Sequence, residues 1–203
     1  MAMTDWAIKL VPVPSDGSCF FSSVAVALNR STAVWTGDEI IRHRLCVYWQ
    51  EYLALGLEAE APDYFTPGCM RYMASVNIDD GDLVSYNENA RADGKKTFGT
   101  AESLAEHVLR SKCWVDSTTF GAFLKSLDCS VSLVVLDRSV PEPLHMFEEL
   151  VRDKTFYICL SLENDHYQPI QLVYRGVSLP FCVRRKTIRK FMQDCFPSRE
   201  NNF

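Results

Sequence analysis

Pro14-Ser15-Asp16-Gly17-Ser18-Cys19-Phe20-Phe21-Ser22-Ser23-Val24 is the stretch on which the reading of this chain turns. Upstream, Trp6 to Val13 alternates loosely around apolar positions, and Pro14 to Gly17 stop it, which predicts a short strand and a turn. Downstream, Phe20, Val24, Ala27 and Leu28 fall at i, i+4, i+7 and i+8, and Phe21 and Ala25 widen the stripe. This predicts a helix buried on most of its circumference, with Cys19 in its first turn at an exposed helix start. Unpaired N–H groups and the macrodipole at such a start favour negative charge, which lowers a thiol pKa and raises the share of nucleophilic thiolate. Gly17, without a Cβ, can take a positive φ and let the Gly17-Ser18 turn aim backbone N–H groups beside the sulfur. An oxyanion held there gains about 3 kcal/mol of barrier per well-placed donor.

A thiolate nucleophile needs a proton acceptor, and of the four histidines the one placed for it is His166, behind the tight turn Asn164-Asp165 and leading a strand. The 147 residues between it and Cys19 are no obstacle, because such partners meet in space. His43 and His107 fall mid-helix and His145 follows Pro141-Glu142-Pro143, so these three are expected to be structural or exposed.

The remaining chain alternates helical and strand periods. Asp38 and Glu39 open a helix carrying Ile41, Leu45, Tyr48, Trp49, Tyr52 and Leu53, with Gly56 as its stop. Residues 77–99 turn polar and are expected to be a surface loop insertion, mobile and available for binding. Helical spacing returns over 101–110 and 118–127, followed by strands at 131–136, 156–162 and 167–174 and a C-terminal helical tail over 178–203. No internal repeat or low-complexity tract is present, and 203 residues suit one domain over 1–203.

Composition narrows the function classes. With 21 Lys+Arg against 26 Asp+Glu, the formal charge is −5, and the one basic cluster, Arg184-Arg185-Lys186 with Arg189-Lys190, reads as the solvated face of a helix. Nucleic acid is therefore not an expected partner. No apolar run of about 18 residues predicts a membrane span, and no secretory leader is evident. Eight cysteines with no C-x₂-C knuckle are expected to be reduced thiols of an intracellular protein, in the cytoplasm or the nucleus, with no metal and no cofactor.

The chain resembles the ovarian-tumour (OTU) family of cysteine proteases, most of which remove ubiquitin from proteins. Asp16-Gly17-Ser18-Cys19-Phe20-Phe21 is similar to the family's Asp-Gly-x-Cys-aromatic-aromatic signature. His43-Arg44 with Val47-Tyr48-Trp49 resembles the helix after the nucleophile, Trp114 and the 118–127 helix resemble its tryptophan-led helix, and Leu160 to Tyr167 resembles its closing strand with the His-Tyr pair. The match runs over about 10–175, and the ordered conjunction is what makes it specific.

The resemblance implies an α+β, papain-like fold with a central, mostly antiparallel sheet flanked by helical layers. It makes Cys19 the nucleophile, His166 the general base and Asp16 the carboxylate that orders the turn. Where many members carry Asp or Asn two residues after the histidine, this chain has Gln168, which holds an acceptor oxygen on the same strand face; Asn164 is the substitute. The substrate implied is the Gly-Gly tail of ubiquitin or polyubiquitin, entering a channel beside Trp114 and Tyr167. Rival readings are a protease for a polyprotein or a ubiquitin-like modifier, an inactive ubiquitin-binding module, and a basic-tail interaction protein with an incidental thiol.

Overall fold

Alternation along the strands decides how this chain layers. The computed structural model describes residues 5–58, 64–111, 117–127, 130–137, 145–147 and 156–196. In chain order these form β1 (Trp6–Leu10), α1 (Cys19–Asn29), α2 (Thr32–Trp35), α3 (Glu39–Ala54), α4 (Pro67–Ser75), α5 (Asp80–Ala92), α6 (Ala101–Arg110) and α7 (Ser117–Ser126). Then come β2 (Val131–Asp137), β3 (His145–Phe147), β4 (Phe156–Glu163), β5 (His166–Tyr174), β6 (Val177–Ser178), β7 (Cys182–Arg184) and α8 (Arg185–Cys195). The strands make one sheet in the order β1-β5-β4-β2-β3, with β6 on β5 and β7 on β4; β2 and β4 run parallel and every other pair is antiparallel.

Successive side chains leave opposite faces of a strand, so each face collects every second residue. Val131, Leu133 and Val135 of β2, with Phe156, Ile158 and Leu160 of β4, join Phe20, Phe21, Val24 and Leu28 of α1 and the buried faces of α3, α4, α6 and α7. Val134, Leu136, Tyr157, Cys159, Ile170 and Leu172 face the other way, onto Ile188, Phe191 and Met192 of α8. Because β2 and β4 are covered on both sides, they read as nearly unbroken apolar runs.

Asn164 and Asp165 connect β4 to β5 with φ of 51° and 60°, both left-handed, and Glu163 pairs directly with His166. A two-residue loop with two positive φ values matches the right-handed twist of an antiparallel pair, and Asn and Asp are the non-glycine residues that tolerate it best. The turn therefore fixes where β5 begins, and His166 is its first residue.

Two expectations need correction. The 77–99 segment is not a mobile loop: α5 occupies most of it, started by a reciprocal capping box between Asp79 and Asp82. Leu83 and Tyr86 pack against the core, and Asn87 clasps the Phe98 backbone by donating to its carbonyl at 2.8 Å and accepting from its N–H at 2.9 Å. The 178–203 tail is not wholly helical either, since Cys182–Arg184 is a strand hydrogen-bonded to β4 before α8 begins. Helices α2 and α4 lie outside the predicted elements, although Thr66 caps α4 from just ahead of Pro67, a start signal present in the sequence.

Candidate active site

Residues 15–18 form the turn from which α1 starts. The Cys19 N–H donates to the Asp16 carbonyl at 3.0 Å, and the Ser18 N–H donates to the Asp16 carboxylate at 2.9 Å. The side chain of Asp16 thus orders the turn through the backbone, as an Asx turn does, and no left-handed residue is needed. Gly17 accordingly is not among the positive-φ glycines of the described residues, which are Gly56, Gly94 and Gly176. Nor is the Ser18 amide available to an oxyanion, because Asp16 already holds it. The Ser18 hydroxyl accepts from the Arg71 guanidinium, whose Nε donates to the Leu109 carbonyl at 3.3 Å. Arg71, on α4, therefore ties the turn to the end of α6. Nothing in the motif signalled it.

Cys19 heads α1 but is not exposed: only 2% of its surface is accessible. Burial pushes its thiol up, the Asp16 carboxylate adds to that push, and the amides of Tyr167, Phe20 and Cys19 itself pull the other way without reversing it. The expected lowering by the helix terminus is thus outweighed by desolvation of the charged form.

The Tyr167 N–H donates to the Cys19 sulfur at 3.5 Å. That nitrogen is two covalent bonds from the Cα of His166, so the start of β5 and the start of α1 meet at the thiol. Ser23 reinforces the junction: its hydroxyl lies 2.7 Å from the Cys19 carbonyl and 3.1 Å from the Tyr167 carbonyl. The Tyr167 ring points into the core, edge-on to Phe20 at 5.7 Å and to Phe120 at 5.6 Å, and is 8% exposed. The ring thus packs in the core; the other residue expected to line the channel, Trp114, lies outside the described residues.

His166 is half-buried, and its Nδ1 is fully buried without a hydrogen-bond partner among the described residues. Gln168 shares its strand face and is also half-buried; Asn164 sits in the hairpin turn. The other histidines behave as structural reasoning expects where their side chains are described. His107 stacks on Phe98 with ring centroids 4.9 Å apart and holds Ser111 at 3.0 Å, with its pKa lowered by burial and then by Lys96, while His43 is exposed on α3. Among the described residues no group of three or more His, Cys, Asp or Glu is arranged to hold a metal ion, and no helix is long and apolar enough to cross a membrane.

No family model and no curated protein matches the sequence. Solved structures similar to this chain include an ovarian-tumour (OTU) domain in complex with ubiquitin, at 15% identity over 86% of this chain and 76% of that one, with a TM-score of 0.47. The viral OTU domain protease from Dera Ghazi Khan virus is 20% identical over 83% of each chain, with a TM-score of 0.42. An OTU deubiquitinase from Wolbachia pipientis wMel, bound to ubiquitin, is 13% identical over 85% of this chain and 98% of that one, with a TM-score of 0.46. With each of these scores below 0.5, function has to be argued from this chain's own residues.

Proposed function

We propose that this chain is a cysteine-dependent deubiquitinase that hydrolyses the isopeptide bond after the Gly-Gly tail of ubiquitin. The observation that supports the reading is the contact of the Tyr167 amide with the Cys19 sulfur, which brings the backbone at the start of β5, next to His166 in the chain, to a thiol at the head of a helix behind Asp16-Gly17-Ser18. In this reading His166 takes the thiol proton, and the Cys19 thiolate attacks the carbonyl carbon of the terminal glycine. The C–N bond then breaks, and His166 returns the proton to the departing lysine amine, leaving a thioester on Cys19. Water, deprotonated by His166, attacks the thioester; a free carboxylate leaves and Cys19 is restored.

Each supporting residue has a separate task. Asp16 engages the Ser18 and Cys19 amides, which leaves the Gly17 amide as the turn's candidate donor to the tetrahedral oxyanion. Since burial opposes the lone thiolate, the imidazolium must supply the compensating charge, and ion pairing is how papain-like sites solve the same problem. An extended glycine-only tail offers little area, so recognition needs a wider docking surface for the folded body of the modifier. A net charge of −5 favours encounter with a basic patch on it.

A catalytically silent ubiquitin-binding module is the second reading, favoured by the burial of Cys19 and the unpartnered His166 ring nitrogen. Ubiquitin propargylamide separates the two. Covalent labelling that disappears in Cys19→Ala, together with cleavage of di-ubiquitin, is the expected result. Capture without a covalent bond supports the module, and cleavage retained by Cys19→Ala overturns the assignment of the nucleophile.

A further inference from the structure

Among the described residues, two fully buried side-chain N or O atoms lack a hydrogen-bond partner: Nδ1 of His166 and Oγ of Ser161. Buried polar groups are rarely left unsatisfied, and each orphan costs stability comparable to a lost hydrogen bond. These two orphans belong to adjacent strands. Ser161 of β4 stands directly opposite Gln168 of β5, and His166 is two residues earlier on β5. On an antiparallel pair that makes Ser161 and His166 diagonal neighbours on one face, with backbones about 7 Å apart, within reach of side chains as long as an imidazole. The face is the one away from α1, since Tyr157 and Cys159 on β4 and Ile170 and Leu172 on β5 share its parity and pack towards α8.

We infer that Ser161 is a positioning residue for His166: the two orphaned atoms are not bonded to each other in this structure, and a turn of the imidazole about its side-chain torsions lets the Ser161 hydroxyl oxygen accept the Nδ1–H and leaves Nε2 free for proton transfer. This inference rests on the reading of His166 as the general base. Gln168 and Asn164, the two acceptors that the sequence offers for this role, suit it less well. Gln168 is half-buried, with an amide that water can satisfy, and Asn164 is fixed by the left-handed geometry of the hairpin. Ser161 is 1% exposed, so its hydroxyl has no water to turn to and few places to point. A neutral hydroxyl fixes tautomer and orientation, as the acidic member of a triad does, while adding less to the stability of an imidazolium. Glu163, opposite His166 and on the same face, supplies a carboxylate near the strand end.

The full chain labelled with nitrogen-15 at histidine tests this without requiring turnover. In wild type at a pH where His166 is neutral, its ring is expected in the Nδ1–H tautomer with a slowly exchanging Nδ1 proton. Ser161→Ala should give a tautomer mixture with fast exchange, Ser161→Thr should restore the wild-type pattern, and Gln168→Ala should leave it unchanged. In parallel, kcat for di-ubiquitin should fall about ten-fold in Ser161→Ala with KM unaltered, the worth of one ordinary hydrogen bond, and recover in Ser161→Thr. An unchanged His166 ring in Ser161→Ala, or a ring pattern that responds to Gln168→Ala instead, overturns the inference. Loss of all turnover in wild type with the ring pattern as expected sinks the deubiquitinase reading and leaves the Ser161 contact standing.

Discussion

Ser23, wholly buried on α1, has its hydroxyl 2.7 Å from the carbonyl of Cys19 and 3.1 Å from that of Tyr167. One proton is shared between an intrahelical acceptor and a strand acceptor, so this single side chain joins the element carrying the thiol to the element carrying the imidazole. Ser23→Ala should lower unfolding free energy by about 1 kcal/mol, the usual net worth of such a bond, measured from urea midpoints. Turnover should fall by more than binding does, since the loosened junction separates reacting groups. Equal loss in Ser23→Ala and in a destabilised variant remote from the site would show that Ser23 acts on stability alone.

Cys19 reactivity should depend on pH in a way that reveals its partner. Burial and then Asp16 raise the lone thiol, so in His166→Ala alkylation of Cys19 should reach half its maximum above the ordinary thiol value of about 8.5. If the His166 ring pairs with the thiol as proposed, Cys19 in wild type should be alkylated faster than in His166→Ala at every pH below that midpoint. Peptide-level mass spectrometry keeps Cys46 and Cys195 from contributing. Overlapping pH profiles would mean that the ring and sulfur do not pair. His166→Ala should also slow isopeptide cleavage by about 10² or more.

What could be read from the sequence was what local chemistry determines. The turn at 14–17 and the apolar period after it place α1 and Cys19, and Asn164-Asp165 places the hairpin and His166, because each signal lies within a few residues of its consequence. Burial of Cys19 was not legible, since its cover comes from β5, 148 residues away. Likewise α5 shows a weak apolar stripe of Leu83, Tyr86 and Ala90, and it is fixed by Lys125 of α7 donating to Asp79 at 3.0 Å and Asp82 at 2.9 Å, contacts that no local window contains. Arg71 and Ser161 were invisible for the same reason: what stands beside them is set by packing and by strand register.

Gly68 tests how tightly α4 is seated. A Cβ there would lie 2.1 Å from the hydroxyl oxygen of Tyr52 and 2.9 Å from its ring carbon Cζ, while Tyr52 donates to Glu58 at 2.7 Å and Thr66 donates to the same oxygen at 2.7 Å. Moving Tyr52 therefore breaks a hydrogen-bonded pair instead of swinging a loose end. Gly68→Ala should cost about 1 to 3 kcal/mol by overpacking, although alanine is the better helix former. Because α4 also carries Arg71, which holds Ser18, the same variant should lower turnover beyond its effect on the folded fraction. Unchanged stability in Gly68→Ala would show that α3 and α4 have slack at this contact.

Alkaline stability follows from the buried thiols. Burial pushes Cys159 and Cys69 up to about 12 and Cys182 up to about 11, against about 8.5 in an unfolded chain. Below about pH 8.5 both states keep these protons and the stability is fully present. Above it the unfolded chain releases protons that the folded chain retains, so the unfolded state binds fewer, and stability falls as pH rises towards the folded values. Each thiol contributes a slope of up to about 1.4 kcal/mol per pH unit, so urea midpoints should drop clearly between pH 8 and 9.5. Staying below pH 10 keeps the unfolded tyrosines, whose folded counterparts Tyr52 and Tyr72 are raised to about 12, from adding to the slope. Cys159→Ala removes one titrating group at the cost of a small cavity, and its midpoint should start lower yet fall less steeply. A variant whose slope equals that of wild type would show that the Cys159 proton is not what the folded core retains.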